Sequence, residues 1–184
     1  KPAGLLPEWL RFLRGVIDSA DIPLNISRES MQDSSLVRKL NRVVTKRFLK
    51  FLDGEAKDYA DKFGEFYAKF GRFLKEGVVV DYDHREGLSK LLRFESSLTD
   101  PGVLTGFADY LTRAKDGQDK IYYLTGTDRA AVEAGPYLEA LRSRGLEVIY
   151  FLENIDEYLL QHLREFDGKE LVSAASADLE LDSD

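Results

Sequence analysis

The sequence predicts an α/β protein with a helical middle: the end of one α/β/α unit, a helical coil linker, then a small three-stranded parallel α/β/α unit. Three observations carry this expectation. From Leu36 to Leu74 apolar residues recur at helical spacing, with aromatics prominent from Tyr59 onward. After Leu104 the period changes, and short apolar runs alternate with helical segments, the pattern of a parallel sheet covered on both faces. Between the two regimes stands Asp100-Pro101-Gly102, a turn-forming boundary.

The elements follow in order. Pro7 to Phe12 suits a short helical turn, and Leu13 to Asp18 holds an apolar pair, Val16-Ile17, that suits a strand. Ile22-Pro23 blocks helix, because proline pushes its predecessor toward extended geometry. Asn25 or Ser27 can cap a helix that follows, with Glu29 in its first turn. Asp33-Ser34 is a second start signal. Leu36, Leu40, Val43, Val44, Phe48, Phe51 and Leu52 form the stripe of the next helix, and Gly54 is expected to end it. Glu55 to Lys75, one helix or a broken pair, carries Tyr59, Phe63, Phe66, Tyr67, Phe70 and Leu74, and its aromatic stripe from Tyr59 to Phe70 reads as core. Arg85 to Phe94 repeats the helical pattern. Thr105 is the expected cap of a helix bearing Phe107, Tyr110 and Leu111. Lys120–Leu124, Glu147–Leu152 and Glu170–Ser173 are the three expected strands. Pro136 opens a helix that Gly145 closes. Asn154 is expected to cap a helix through Leu159, Leu163 and Phe166, with Gly168 stopping it. The expected organisation is 1–54, the end of the larger α/β/α segment; 55–97, the aromatic-rich helical linker; 98–175, the small α/β/α segment; and 176–184, an acidic linker.

Composition narrows the function classes. The chain has 184 residues, 43% hydrophobic and 32% charged, with a net charge of −7, which opposes general nucleic-acid binding. Without cysteine there is neither a disulfide framework nor a thiolate metal site, as suits a reducing compartment. No apolar run reaches membrane-spanning length. The chain opens on Lys1 rather than methionine and reads as an excised piece of a longer protein, its address signal lying elsewhere.

The most informative segment is Pro23 to Gln32, a proline-stiffened loop running into a helix start. Arg28 and Gln32 are four apart and share a helix face. A planar guanidinium beside an amide, over the free N–H groups of a helix terminus, suits a phosphate oxygen. By residue type alone, an arginine in a first turn is ordinarily a surface residue. Asn25 can contact a partner domain or brace its own loop. The stretch Arg38, Lys39, Arg42, Lys46, Arg47 and Lys50 contains no acidic residue and reads as a solvated face or a landing surface for an acidic partner domain. Leu124-Thr125-Gly126-Thr127-Asp128 is a strand–turn–helix junction, but neither a dinucleotide fingerprint nor a phosphate-loop motif is present, and Thr127 or Asp128 suffices as a cap. His84 and His162 lack metal-ligand neighbours at regular spacing. Asp81/Asp83 and Asp156/Glu157 read as loop and first-turn charges, so no metal and no acid–base pair is assigned.

Several segments, in order, resemble the middle domain of the heat shock protein 90 chaperones: Leu5-Leu6-Pro7-Glu8-Trp9-Leu10-Arg11-Phe12, Pro23-Leu24-Asn25-Ile26-Ser27-Arg28-Glu29, Leu92-Arg93-Phe94-Glu95-Ser96-Ser97, Ile121-Tyr122-Tyr123-Leu124-Thr125-Gly126 and Leu163-Arg164-Glu165-Phe166-Asp167-Gly168-Lys169. The details look closer to the mitochondrial paralogue than to the eukaryotic cytosolic one, with a bacterial branch as the alternative, so mitochondrion and cytoplasm are the compartments implied. The resemblance implies a split ATPase: Arg28, supported by Gln32 and a loop braced by Asn25 and Ser27, contacts the γ-phosphate of ATP held with Mg on a separate amino-terminal domain. It implies that this chain alone hydrolyses nothing. The partners implied are that ATPase domain, a carboxy-terminal dimerisation domain, client proteins and an activating cochaperone, within a homodimer engaged in protein folding and the stress response. Where the family commonly has Arg-Glu-Met-Leu-Gln, this chain has Arg28-Glu29-Ser30-Met31-Gln32, with a polar Ser30 at an ordinarily apolar place. Two other readings stand beside it: a protein-interaction module docking through the basic helix, and a small-molecule-binding α/β domain with its ligand at Gly126-Thr127-Asp128 and Glu153-Asn154.

Overall fold

A computed structural model describes residues 4–16 and 35–176. The chain divides into two compact units, Lys1–Phe63 and Gly64–Asp184, with the division falling inside a helix.

In the first unit a 3₁₀ turn, Glu8–Leu10, buries Trp9 and Leu10. It is closed by Leu10 N donating to Pro7 O at 2.9 Å and Leu13 N to Leu10 O at 2.9 Å. Residues 13–16 are irregular rather than the expected strand, and Val16 is 96% exposed. A two-residue apolar run fixes no period, so it carries little strand signal. Its partner Ile17 lies outside the described residues. Helix α1, Ser35–Asp58, buries Val37, Thr45, Leu49 and Leu52 on one stripe. It does not stop at Gly54. That glycine is absent from the left-handed residues, so nothing in its backbone ends the helix.

Helix α2, Ala60–Val80, begins just after Tyr59 and runs beyond the expected end at Lys75, because Val78 is fully buried on the same stripe. Phe63, Tyr67 and Leu74 are buried as expected, but Tyr59 is 59% exposed and so is not core. The helix ends at Asp81, whose carboxylate accepts from His84 N, while Arg85 Nε donates to Val78 O at 2.8 Å. Helix α3 is short, Arg85–Ser89.

The second unit is built on one five-stranded sheet of order β1-β3-β2-β5-β4. Its centre is the expected parallel trio: β2 Lys120–Thr125, β3 Val148–Phe151 and β5 Lys169–Ser173. Tyr123 sits opposite Ile149, and Ile121 opposite Leu171. Two unforeseen strands of two residues each, β1 Glu95–Ser96 and β4 Glu165–Phe166, pair antiparallel on the two edges. Period-2 side-chain alternation puts Tyr122, Leu124, Val148 and Tyr150 on one face. There they pack with Val132 of α5 (Arg129–Glu133) and with Leu138 and Leu141 of α6 (Tyr137–Ser143). The other face is aromatic. Phe151 meets Phe94 at 4.6 Å and Tyr123 edge-on at 5.3 Å; Phe107, from α4 (Phe107–Arg113), bridges Phe94 and Phe166 at 5.2 Å each.

Three local expectations change. Thr105 is not the cap of α4: it exchanges both backbone bonds with Phe94, and Gly106 takes the cap position. Helix α7 is Asn154–His162, and its cap is Glu153, one residue before the expected Asn154. Phe166 leaves the helical stripe for β4, and Gly168 does not stop a helix. Asp167 and Gly168, both with positive φ (51° and 73°), form the two-residue turn joining β4 to β5.

Candidate functional site

Arg28, Gln32, Asn25 and Ser27, together with the acidic segment Asp178 to Asp184, lie outside the described residues. The structure describes residues 4–16 before them and the helix from Ser35 after them. Gly4 takes a left-handed backbone, φ 65°, and its carbonyl accepts from Asn41 Nδ2 of α1 at 2.8 Å. The chain near its described start is thus tied to α1. That helix turns Arg38, Lys39, Arg42, Lys46, Arg47 and Lys50 outward, with no acidic residue between Ser35 and Leu52. Val43 and Phe51 are also exposed on it. The sequence-read cationic surface is therefore real, and it follows in sequence the residues that include Arg28.

The second unit holds three ion clusters that the sequence alone did not bring together. Lys75 is 2% exposed. Its ammonium donates to Glu153 Oε1 at 2.7 Å, lies 2.8 Å from Asp156 Oδ1, and sits 4.9 Å from the Phe94 ring centre. The Asp156 contact is one of charge, since Oδ1 makes no directed hydrogen bond, while Oδ2 accepts from Glu153 N at 3.0 Å. Burial raises the Asp156 carboxyl above its ordinary value, and Lys75 pulls against that rise. One signal was available: Lys75 follows Tyr67 and Gly71 at four-residue intervals and so falls on the apolar face.

Glu147, also buried, accepts from both Arg113 Nε (3.0 Å) and Nη2 (2.8 Å) and from Ser96 Oγ at 2.6 Å. The Tyr110 hydroxyl donates to Glu147 O and accepts from Gln118 Nε2 and Tyr122 N. Burial pushes that phenol up to about 12. Arg129 joins Glu95 (2.7 Å), Glu133 (3.0 Å) and Thr99 O (2.7 Å) over the Tyr150 ring. In all three clusters the charges are spent on one another, which makes them fasteners of the fold rather than acid–base groups.

The junction after β2 is accounted for in the same way. Asp128 caps α5 by accepting from Ala131 N at 2.8 Å, as expected, and Gly126 is required because a Cβ there would lie 2.5 Å from Val132 Cγ2. His84 Nδ1 sits 3.0 Å from both oxygens of Asp81, a pairing that the loop-charge reading of Asp81 missed. Among the described residues, no group of three or more His, Cys, Asp or Glu could hold a metal ion, and no helix is long and apolar enough to cross a membrane.

Comparison with known proteins gives one consistent result. The family model described as Hsp90 protein matches residues 2–184. The chain is 53% identical over 180 residues to a chaperone protein HtpG of Desulfotalea psychrophila, covering 98% of this chain and 29% of that protein. It is 53% identical over 181 residues to the HtpG of Desulfitobacterium hafniense, covering 98% and 30%, and 48% identical over 178 residues to that of Cronobacter sakazakii, covering 96% and 28%. The chain thus spans under a third of the length of these bacterial relatives.

Proposed function

The chain belongs to the Hsp90 family, in its bacterial-type branch, and we propose that it works as the later part of the middle segment of an ATP-dependent chaperone. Its role there is to lend Arg28, supported by Gln32 and a loop braced by Asn25 and Ser27, to the γ-phosphate of ATP. The nucleotide and its Mg are held mainly by an amino-terminal domain, and the chain alone carries out no hydrolysis. The observation that carries this reading is the family match from end to end, with Pro23 to Gln32 inside it. The tethering of Gly4 to Asn41 supports it, because an arginine lent to another domain has to be presented from a fixed base.

A cation supplied from outside offsets the charge that develops on the transferring phosphoryl group, an effect worth roughly 10³–10⁵ in rate in other nucleotide hydrolases. Arg28→Ala in the full-length protein is expected to lose on the order of 3 kcal/mol or more of transition-state stabilisation, about a hundredfold or more in turnover. Nucleotide affinity should stay nearly constant. Wild-type turnover in that variant would refute the assignment.

The proposed partners are the amino-terminal ATPase domain, a carboxy-terminal dimerisation domain that makes the whole a homodimer, client proteins and an activating cochaperone. The exposed cations of α1 favour its use as a docking face for an acidic surface. Binding there should weaken steeply with salt and persist in Arg28→Ala. A small-molecule site beyond the strand ends is less favoured, since Asp128 and the Glu153–Asp156 capping box already occupy helix-start amides there.

A further inference from the structure

We propose that Asp116-Gly117, in the turn between α4 and β2, is a self-modification site, where the main chain rearranges to isoaspartate and the change reaches the sheet through Gln118. The chain has three Asp-Gly pairs: Asp53-Gly54, Asp116-Gly117 and Asp167-Gly168. In such a pair the glycine nitrogen, unshielded by any Cβ, attacks the side-chain carboxyl carbon of the aspartate before it. An N–C bond forms as a C–O bond of the carboxyl breaks, and the amide proton and carboxyl hydroxyl leave as water. Water then opens the five-membered imide at either carbonyl. One opening restores aspartate. The other leaves the main chain running through the side-chain carbon, one methylene longer, with the former backbone carbonyl as a free carboxylate.

The fold separates the three pairs. Gly54 lies inside α1, whose ladder takes its nitrogen, and the Asp53 carboxylate is held by Lys57 Nζ at 2.7 Å. Asp167 and Gly168 both have positive φ and are clamped between β4 and β5. Rotating their shared peptide would carry Asp167 into backbone space that is essentially glycine's alone. Asp116 has no such bar. Gln118 N donates to Lys115 O at 3.0 Å, φ is 82° at Gly117 and negative at Asp116, the signature of a type II turn. Its central peptide turns over to the type I arrangement with both end residues in place. Asp116 and Gly117 are exposed, and a Cβ on Gly117 would meet nothing within 4 Å. Among the described residues, no hydrogen bond or ion pair engages the Asp116 carboxylate or the Gly117 nitrogen.

Gln118 gives the lesion its reach. Its Oε1 accepts from Lys115 N at 3.3 Å across the turn, and its Nε2 donates to the Tyr110 hydroxyl at 2.9 Å and to Lys120 O at 2.8 Å. That hydroxyl in turn accepts from Tyr122 N of β2 at 3.0 Å. A main chain lengthened at Asp116 moves Lys115 and Gln118 apart and pulls this amide from the hydroxyl.

The test is prolonged incubation of the folded chain at neutral pH and body temperature. Peptide mass spectrometry with electron-transfer fragmentation then locates isoaspartate, and an isoaspartyl methyltransferase with labelled S-adenosylmethionine measures its total. Isoaspartate is expected at Asp116 about tenfold ahead of Asp167, the discrimination that the backbone strain at Asp167 supplies, and ahead of Asp53 as well. Asp116→Glu, which cannot close a five-membered ring, is expected to lose most of the methyl labelling. Hydrogen exchange at the Tyr122 amide should quicken in aged wild type and stay at its starting rate in aged Asp116→Glu. Equal accumulation at Asp116 and Asp167, or none at Asp116, would overturn the site. Unchanged Tyr122 exchange in protein that carries isoaspartate at 116 would overturn the transmission through Gln118.

Discussion

Replacing Lys75 by methionine is the sharpest test of the second unit's architecture. The substitution keeps length and apolar stem but removes the positive charge 2.8 Å from an Asp156 side chain that is 2% exposed. Breaking a buried pair from one side costs about 3–5 kcal/mol, because the remaining charge is left without compensation. At roughly 2–4 °C per kcal/mol for a chain of this size, Tm should fall by about 6–20 °C at pH 7. The pH dependence has a definite sign. Burial raises the folded carboxyl of Asp156 above its ordinary 3.8, so the folded state holds this proton more tightly than the unfolded chain. The associated stability is complete below the unfolded value and is lost as pH rises through the folded one. Without Lys75 the folded value climbs further. The deficit of Lys75→Met should therefore shrink on moving from pH 7 to pH 5. Lys75→Met/Asp156→Asn, which keeps an acceptor for Glu153 N, should recover most of it. Urea unfolding followed in the tyrosine near-ultraviolet band reads the second unit, while fluorescence of Trp9, the single tryptophan, reads the first. A loss independent of pH, or a double variant no better than the single one, would refute the buried-charge account.

Further outcomes follow from single contacts. Gly71→Ala should destabilise by about 1–3 kcal/mol in urea, against the usual gain from alanine in a helix, because the Tyr67 ring occupies the space. Glu147→Gln should cost about 1–3 kcal/mol, since one carboxylate serves Arg113 twice and Ser96 once. Asp128→Ala should cost about 1 kcal/mol as a lost cap, visible as faster amide exchange at Ala131. Tyr110 should ionise near pH 12 in an ultraviolet titration, against 10.0 for the free phenol. Its contribution to stability is intact below pH 10 and drains away as pH climbs through the higher value, and Tyr110→Phe removes one phenol from that alkaline phase, which Tyr150 shares.

The parallel trio was readable because each strand is a short apolar run between turn signals, and Pro136 and Gly145 bracket a helix as their chemistry requires, Gly145 with φ 66°. The edge strands could not be read, since two residues carry no period. Thr105 and Asn154 are good caps by type, but a bridge to Phe94 and a box between Glu153 and Asp156 outbid them, and such tertiary bonds leave no trace in local sequence. Asp167-Gly168 is a hairpin signal that the expected helix through Phe166 masked. Lys75 shows the general difficulty: its position on the apolar stripe was visible, but its acidic partners lie about 80 residues away. For the candidate site, the identity of Arg28 came from resemblance, and composition alone would have left it a surface cation.

The brevity of β1 and β4 has a further consequence. An open run of unpaired amides and carbonyls is a template to which any extended polypeptide can add itself. Two-residue borders offer such chains almost no template. The sheet's borders thus give a second extended chain little to build a fibre on.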